Sequence, residues 1–434
     1  MDQEKHRNQL ENEGFSNIRV RTDAPDTIYK PHTHPETIAH IILAGQMRAK
    51  AEGRITATSN FLRHIDLCLL CRNCEAVCPS GVPFGRIMQA QRAEVRSTRR
   101  APWWERLVRY LVFTLLMPHP ARIAFVAGML RFYQRSGLQR LVRKLRILRI
   151  FPASLRQMEA MLPPLSSHFF SPSAAVTPGH GKGRGRAAVF SGCVMPYLYA
   201  EVNEATVRVL ARNGYDVNVP PGQVCCGSLQ EHSGERAAAE ALARRNIDAF
   251  ASEEADPIIV NAAGCGATLK EYHELLADDP GYREKASEFA ARVFDVNEFL
   301  ARHELRGALG AVPMCATYQD SCHLAHAQRV TSAPRSLLKA VPGVELSEMH
   351  LPDRCCGSAG IYNITEPEMS AKLLHNKMQD VRSTGADTIV TANPGCMLQL
   401  SVGLSREGLP GRVAHIVQVL DWAYQAGEDD GRRD

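Results

Sequence analysis

Cys68, Cys71, Cys74 and Cys78, with Pro79 directly behind, stand in a C-x2-C-x2-C-x3-C-P spacing. Three thiols in a tight turn can ligate one iron–sulfur cubane, and the proline ends the loop. A structural zinc knuckle is the competing chemistry, but it usually pairs two short cysteine units or adds histidines. The spacing therefore points to iron. Eight more cysteines fall into a duplication. Cys193, Cys225-Cys226-Gly227 and Cys265 are answered about 130 residues further on by Cys322, Cys355-Cys356-Gly357 and Cys396. Adjacent cysteines suit a multi-iron cluster better than one zinc ion, because neighbouring side chains diverge along an extended backbone.

A second candidate lies near the start, in Pro31-His32-Thr33-His34-Pro35 and His40. Two histidines one residue apart on a strand share a face and could hold a metal. The pattern resembles the first metal motif of a small cupin barrel. The later strands and the remaining ligand of such a barrel are missing, and half a barrel leaves edges unpaired. A non-functional fragment over residues 1–47 is the expectation.

The elements that must position the repeated thiols are short strands alternating with helices. In the first copy, apolar runs at 187–190, 216–219 and 257–260 each end shortly before a cysteine; in the second copy those at 316–319, 345–348 and 388–391 do the same. Such alternation implies a parallel sheet in each copy, with ligands gathered at the carboxyl ends of the strands. Ahead of the repeats, a helical pattern leads into Cys68 and another runs from about Gly85 to Arg96. The predicted fold is thus mixed: a small helical cluster domain, a helical basic connector, then two tandem α/β repeats with short parallel sheets. The domain boundaries are 1–47, 48–100, 101–163, a Ser/Pro/Gly-rich linker at 164–186, then 187–305 and 312–425. Gly179-His-Gly-Lys-Gly-Arg-Gly precedes a strand and lacks the G-K-[ST] ending, so it is no phosphate loop.

The chain has 434 residues, 45% of them hydrophobic, and a net charge of +5, the balance of an ordinary globular protein. Thirteen cysteines is an odd number and too sparse for a disulfide scaffold. Residues 1–30 carry no long apolar run, so no secretory signal is expected. Clustered thiols without one point to a reducing cytoplasm. No apolar run reaches the roughly 18 residues of a spanning helix. Residues 91–150 are rich in arginine, with Trp103 and Trp104 adjacent and Leu138, Leu141, Leu145 and Leu148 at helical spacing. A stretch of this kind either lies on an anionic membrane surface or packs its leucines on a neighbouring domain. No motif accompanies it that would bind nucleic acid.

Tandem Cys…Cys-Cys-Gly…Cys units behind a Cys68–Pro79 run resemble the CCG-domain family, and within it the iron–sulfur subunits of glycolate oxidases. Tyr133–Arg140, Asp320–His326, Cys355–Asn363 and Asn393–Cys396 carry the likeness, which spans about residues 48–425. The resemblance implies an electron-transfer subunit with 4Fe-4S clusters, one at the ferredoxin-type run and one per repeat. All twelve of those cysteines would be ligands, and His32, His34 and His40 a minor alternative site. It implies no flavin in this chain and a separate FAD-containing subunit that oxidises glycolate or a similar 2-hydroxy acid. A membrane quinone would accept the electrons, and the chain would sit in the cytoplasm, peripheral to the inner face of the membrane. Alternatives are a heterodisulfide reductase-like thiol–disulfide subunit and the iron–sulfur subunit of a lactate or glycerol-3-phosphate dehydrogenase.

The sequence departs from that family twice. Only one ferredoxin-type run is present, so either Cys78 folds back to complete one cluster or Cys68, Cys71 and Cys74 hold a site short of one thiolate. Ala262 and Asn393 stand where heterodisulfide reductase-like repeats carry a further cysteine. His323 and His326 flank Cys322 and are expected to hydrogen-bond locally rather than ligate. Asp320 is expected to cap the following helix, and Cys315 to be a small core residue.

Overall fold

The computed structural model describes residues 47, 58–99, 101–150, 159, 162–251 and 257–430. The chain divides into two compact units, 1–68 and 69–434. In the first, Ser59–Leu67 is a helix whose N-terminus is capped by the Thr58 hydroxyl, accepting from Phe61 N at 3.2 Å. Cys68 follows it in extended backbone. The cupin-like segment with His32, His34 and His40 lies outside the described residues.

The second unit opens with the helices Asn73–Ala76 and Phe84–Thr98. Trp103–Arg109, a π-helical stretch Tyr110–Leu116, and the helices Pro120–Arg135 and Leu138–Lys144 follow. Among the described residues no single helix is long and apolar enough to cross a membrane. Trp103–Leu116 and Pro120–Arg135 qualify only as a pair, bent by 109°. Phe113 and Ala127 of this pair are buried, and Val112 packs against Val224, Cys225 and Leu242. Trp103, Phe125 and Phe132, however, are 76%, 68% and 67% exposed, and Leu138, Leu141 and Leu145 also face solvent. The reading of these leucines as packing residues is therefore corrected.

Two sheets form the rest. The first runs β1 (Ser173–Thr177), β3 (Tyr215–Val219), β2 (Gly185–Phe190), β4 (Ile258–Val260), β5 (Val293–Asp295), parallel except for β1. The second runs β7 (Val344–Leu346), β6 (Met314–Tyr318), β8 (Thr388–Thr391), β9 (Arg412–His415), all parallel. The stretch 164–186, expected as linker, contributes β1. Its glycine-rich run is bolted to a turn by backbone bonds, His180 N to Ala211 O at 2.8 Å and Arg184 N to Gly214 O at 2.7 Å. Backbone pairing of this kind leaves no trace in side-chain pattern.

The inner strands β2, β4, β6 and β8 are buried on both faces, which is why they read as continuous apolar runs. Alternate residues go to different cores. Val189 and Ile259 join Tyr318 and Val390 in one core shared by both repeats. Phe190 and Val260 face a core private to the first repeat, Ile389 one private to the second. The helices Ala200–Arg212 and Ile416–Asp430 pack across the same seam. There Asp421, almost fully buried, receives Arg208 at 2.8 Å and Arg212 at 3.0 Å.

Candidate functional site

Six loops deliver the repeated thiols. Cys193 follows β2, Cys225-Cys226 lie beyond β3, and Cys265 sits in the first turn of the helix Ala263–Lys270 behind β4. Cys322 follows β6, Cys355-Cys356 lie beyond β7, and Cys396 sits in the first turn of Pro394–Glu407 behind β8. These are the carboxyl ends of parallel strands, where open α/β sheets place their sites. The glycine of each Cys-Cys-Gly turn is required. Gly227 and Gly357 have φ of +87° and +88°, and a Cβ on Gly357 would lie 2.7 Å from the Ser370 carbonyl oxygen.

All eight thiols line one cavity of about 410 Å³ shared by the two repeats. Within each repeat they form a chain of neighbours in the same order: Cys193–Cys225–Cys226–Cys265 and Cys322–Cys355–Cys356–Cys396. Cys226 Sγ and Cys265 Sγ are 3.3 Å apart. Cys225 is pulled well below the usual thiol range, first by the Cys193 thiol and then by Cys226, with the Gly227 N–H adding to it. Cys355 is lowered in the same way by Cys322, Cys356 and Gly357 N–H. The second thiol in each chain is thus the first to ionise. Cys396 is also lowered, chiefly through its bond with Cys356, and the N-terminus of its helix favours thiolate too.

Such a donor set fits iron–sulfur ligation. Four soft sulfurs per repeat are buried or nearly so, and among the described residues none of the thirteen cysteines is in a disulfide. No three Cys, His, Asp or Glu side chains among the described residues converge as they would around one ion. A string of thiols suits several irons spread over a few ångströms better than a tetrahedral zinc.

The ferredoxin-type run is split between the units: Cys68 ends the first, while Cys71, Cys74 and Cys78 belong to the second. Leu70 and Arg72 flank Cys71 with φ of 52° and 64°. Side chains rarely adopt that left-handed backbone, so the turn is held from outside. The holders come from both repeats. Arg72 pairs with Glu75 and with Glu271, and Arg86 with Glu274 at 2.6 Å. From the second repeat, His323 Nε2 donates to Leu70 O at 2.9 Å, and Arg329 donates to Glu75 O and Ala76 O, each at 3.1 Å. Cys322 is raised well above the usual thiol range, first by its hydrogen bond to Cys355, then by burial and by the charges of Cys355, Cys396 and Cys71. Cys71 is thus an electrostatic neighbour of the second repeat. Cys78 Sγ accepts from Val82 N at 3.4 Å.

His326 donates to Asp353 O at 3.3 Å, and His323 stands edge-on to His232 with ring centroids 5.1 Å apart. Asp320 does not cap a helix. It is buried and takes Arg335 in a two-pronged pair at 3.0 and 2.8 Å, so charge pairing replaces the expected cap. Cys315 lies half-buried on β6 and is absent from the cavity wall, rather than in the core. Asn393 links the repeats: its Oδ1 accepts from Gly264 N at 3.2 Å, and its Nδ2 donates to Cys396 Sγ at 3.6 Å. Two nearby residues had no motif to announce them. His232 lines the cavity, and Lys377 is a fully buried lysine behind the second repeat's loop.

Family comparison agrees with this architecture. Residues 104–162 match the glycolate oxidase iron–sulfur subunit linker region, and residues 187–270 and 316–401 each match the cysteine-rich domain. The chain is 43% identical over 380 residues to a probable glycolate oxidase iron–sulfur subunit of Bacillus subtilis, covering 86% of this chain and 85% of that one. It is 32% identical to the glycolate oxidase iron–sulfur subunit of Escherichia coli, covering 83% and 82%. Lactate utilization protein A of Shouchella clausii is 35% identical over 54% of this chain and 98% of its own. A crystal structure of a hypothetical protein from Helicobacter pylori shares the fold alone, with a TM-score of 0.51 and 9% identity, covering 91% of this chain and 69% of that one. Eight thiols held by two cysteine-rich repeats, behind a matching linker, place the chain in the glycolate oxidase iron–sulfur subunit family.

Proposed function

We propose that this chain is the iron–sulfur electron-transfer subunit of a glycolate dehydrogenase or oxidase complex. The single observation that carries this reading is the cavity into which both repeats point their thiols. Iron–sulfur clusters supply one-electron chemistry when bound, at potentials set by burial and by hydrogen bonds to sulfur. The protein's part is to hold the thiolates, to exclude water and to tune them. Asn393 donates to Cys396 and the Gly357 N–H donates to Cys355 at 3.4 Å. The proposed ligands are Cys193, Cys225, Cys226 and Cys265 in one repeat, Cys322, Cys355, Cys356 and Cys396 in the other, and Cys68, Cys71, Cys74 and Cys78 in a small ferredoxin-type domain. One 4Fe-4S cluster at each of the three places is the proposed complement. Anaerobic purification with iron and sulfide counting tests it. About three clusters' worth of iron is expected, and a colourless, iron-free protein sinks the reading.

The proposed partners are a separate FAD-containing subunit that oxidises glycolate and a membrane quinone that accepts the electrons. Cytoplasmic location at the inner membrane face belongs to the same proposal. It is supported by the exposed Trp103, Trp104, Phe125 and Phe132 on the bent helix pair, with Arg106, Arg122, Arg140 and Arg146 exposed in the same region. Aromatic rings beside arginines favour the interface of an anionic bilayer. Changing those four aromatics to serine is expected to lower sedimentation with anionic vesicles by about tenfold, as buried apolar area is lost. Unchanged sedimentation assigns this face to a protein partner instead.

A further inference from the structure

The two repeats are near-copies in their thiols but not in what stands behind them. In the first, Asn246 braces the loop that leads into the cysteine pair. It accepts from Val224 N at 2.8 Å and donates to Cys225 O and Tyr272 OH, each at 3.0 Å. Lys377 holds the corresponding place in the second. The interval in sequence from Asn246 to Lys377 equals that from Ala239 to Ser370, the residues packed under Gly227 and Gly357. Lys377 Nζ donates to Leu351 O at 2.5 Å and to Pro352 O at 3.4 Å, in the loop that runs to Cys355. Its side chain is 0% exposed.

Bracing carbonyls needs only a neutral donor, as Asn246 demonstrates. A buried ammonium adds a full positive charge, which is costly without nearby negative charge. The anionic groups facing it are the carboxylates of Asp380 and Asp353 and the thiols of Cys356 and Cys355. Asp380 is itself tied to His350 N and Leu351 N at 2.8 and 3.0 Å. Burial pulls the amine below its usual range, while these groups, once ionised, favour its protonated form.

We propose that Lys377 is a fixed cation behind the second repeat's thiols, and that it holds the cluster they would bind at a more positive reduction potential than its counterpart in the first repeat. The proposal rests on the reading of both thiol sets as cluster ligands. Reduction adds one electron and no proton, so the reduced state is more negative, and a nearby cation in a low-dielectric site stabilises it preferentially. Electrons would then settle in the second repeat, the one adjoining Cys71. Lys377 touches neither substrate nor thiol by hydrogen bond and acts as a tuning residue.

The test is a redox-poised paramagnetic resonance titration of the anaerobically purified full chain. Its two repeat signals are assigned beforehand by single Cys225→Ser and Cys355→Ser variants. In Lys377→Met the second-repeat midpoint is expected to move negative while the first stays put. Lys377→Gln, which keeps a donor for Leu351 O, must move it likewise, and Lys377→Arg must leave it near the wild-type value. A second-repeat midpoint that stays in place in both neutral variants overturns the proposal. So does an arginine variant that shifts as far as methionine, because geometry rather than charge would then be acting. Loss of the second signal in both neutral variants also overturns it, in favour of a role in assembly. A wild-type chain with no iron–sulfur signal fails the cluster reading itself, and this inference falls with it.

Discussion

Cys355→Ser is expected to lose about one third of the protein's iron, emptying the second repeat while the first stays loaded. Cys355 is the second thiol in its chain, accepting from Cys322, from Cys356 and from the Gly357 N–H, and these bonds make it the thiol that ionises first there. A serine oxygen at that position is a hard, weakly acidic donor with little affinity for iron in a sulfur environment. Cys225→Ser should empty the first repeat in the same way, and the double variant should lose about two thirds. Cys315→Ser is the control, since Cys315 is not part of the cavity wall. Iron and acid-labile sulfide, counted per chain after anaerobic purification, decide the matter. Equal iron in wild type and both single variants would remove these cysteines from the ligand set.

Asp421→Ala is expected to destabilise the protein by about 3 kcal/mol, near the low end of what breaking a buried pair costs. The carboxylate is the meeting point of Arg208 and Arg212 from the first repeat with a helix of the second, and it is nearly inaccessible to water. Its removal takes the buried partner from Arg212, which is 13% exposed and keeps only the more exposed Glu428 at 2.9 Å, whereas Arg208 at 43% exposure can reach solvent; both limit the loss. Asp421→Asn should cost less than alanine, because an amide oxygen still accepts from Arg212. The readout is thermal unfolding of the full chain, in which the alanine variant should melt several degrees lower. An unaltered transition would mean that the shared apolar core alone holds the repeats together.

Much of this protein can be read before it folds. Thiol spacing is a local property, and so is the run of apolar residues that marks a strand buried on both faces. Residues 187–190 and 388–391 therefore fall inside β2 and β8, and the Cys-Cys-Gly turns lie at the strand ends where they are expected. The expected strand at 345–348 is placed slightly late against β7, because that edge strand is short and only half-buried. β1, β5 and β9 escape notice because their apolar signal is weak and their places are set by backbone pairing with strands already formed.

What the sequence determined by itself is the inventory: a ferredoxin-type run, two repeats, four thiols in each, and the expectation of iron chemistry that those thiols raise. Tertiary structure alone decided how these parts meet. It put one face of each sheet into a common core, which brings both thiol sets to one cavity. It set Cys71 beside Cys322 through His323 and Arg329, residues with no spacing relation to the run. It turned Asp320 from a cap into the partner of Arg335 and left Leu138, Leu141 and Leu145 of the connector in solvent. The reason is the same in each case. Local pattern records what a residue is and which face it occupies, whereas charge pairing, burial and the choice of neighbour depend on chain segments far away in sequence.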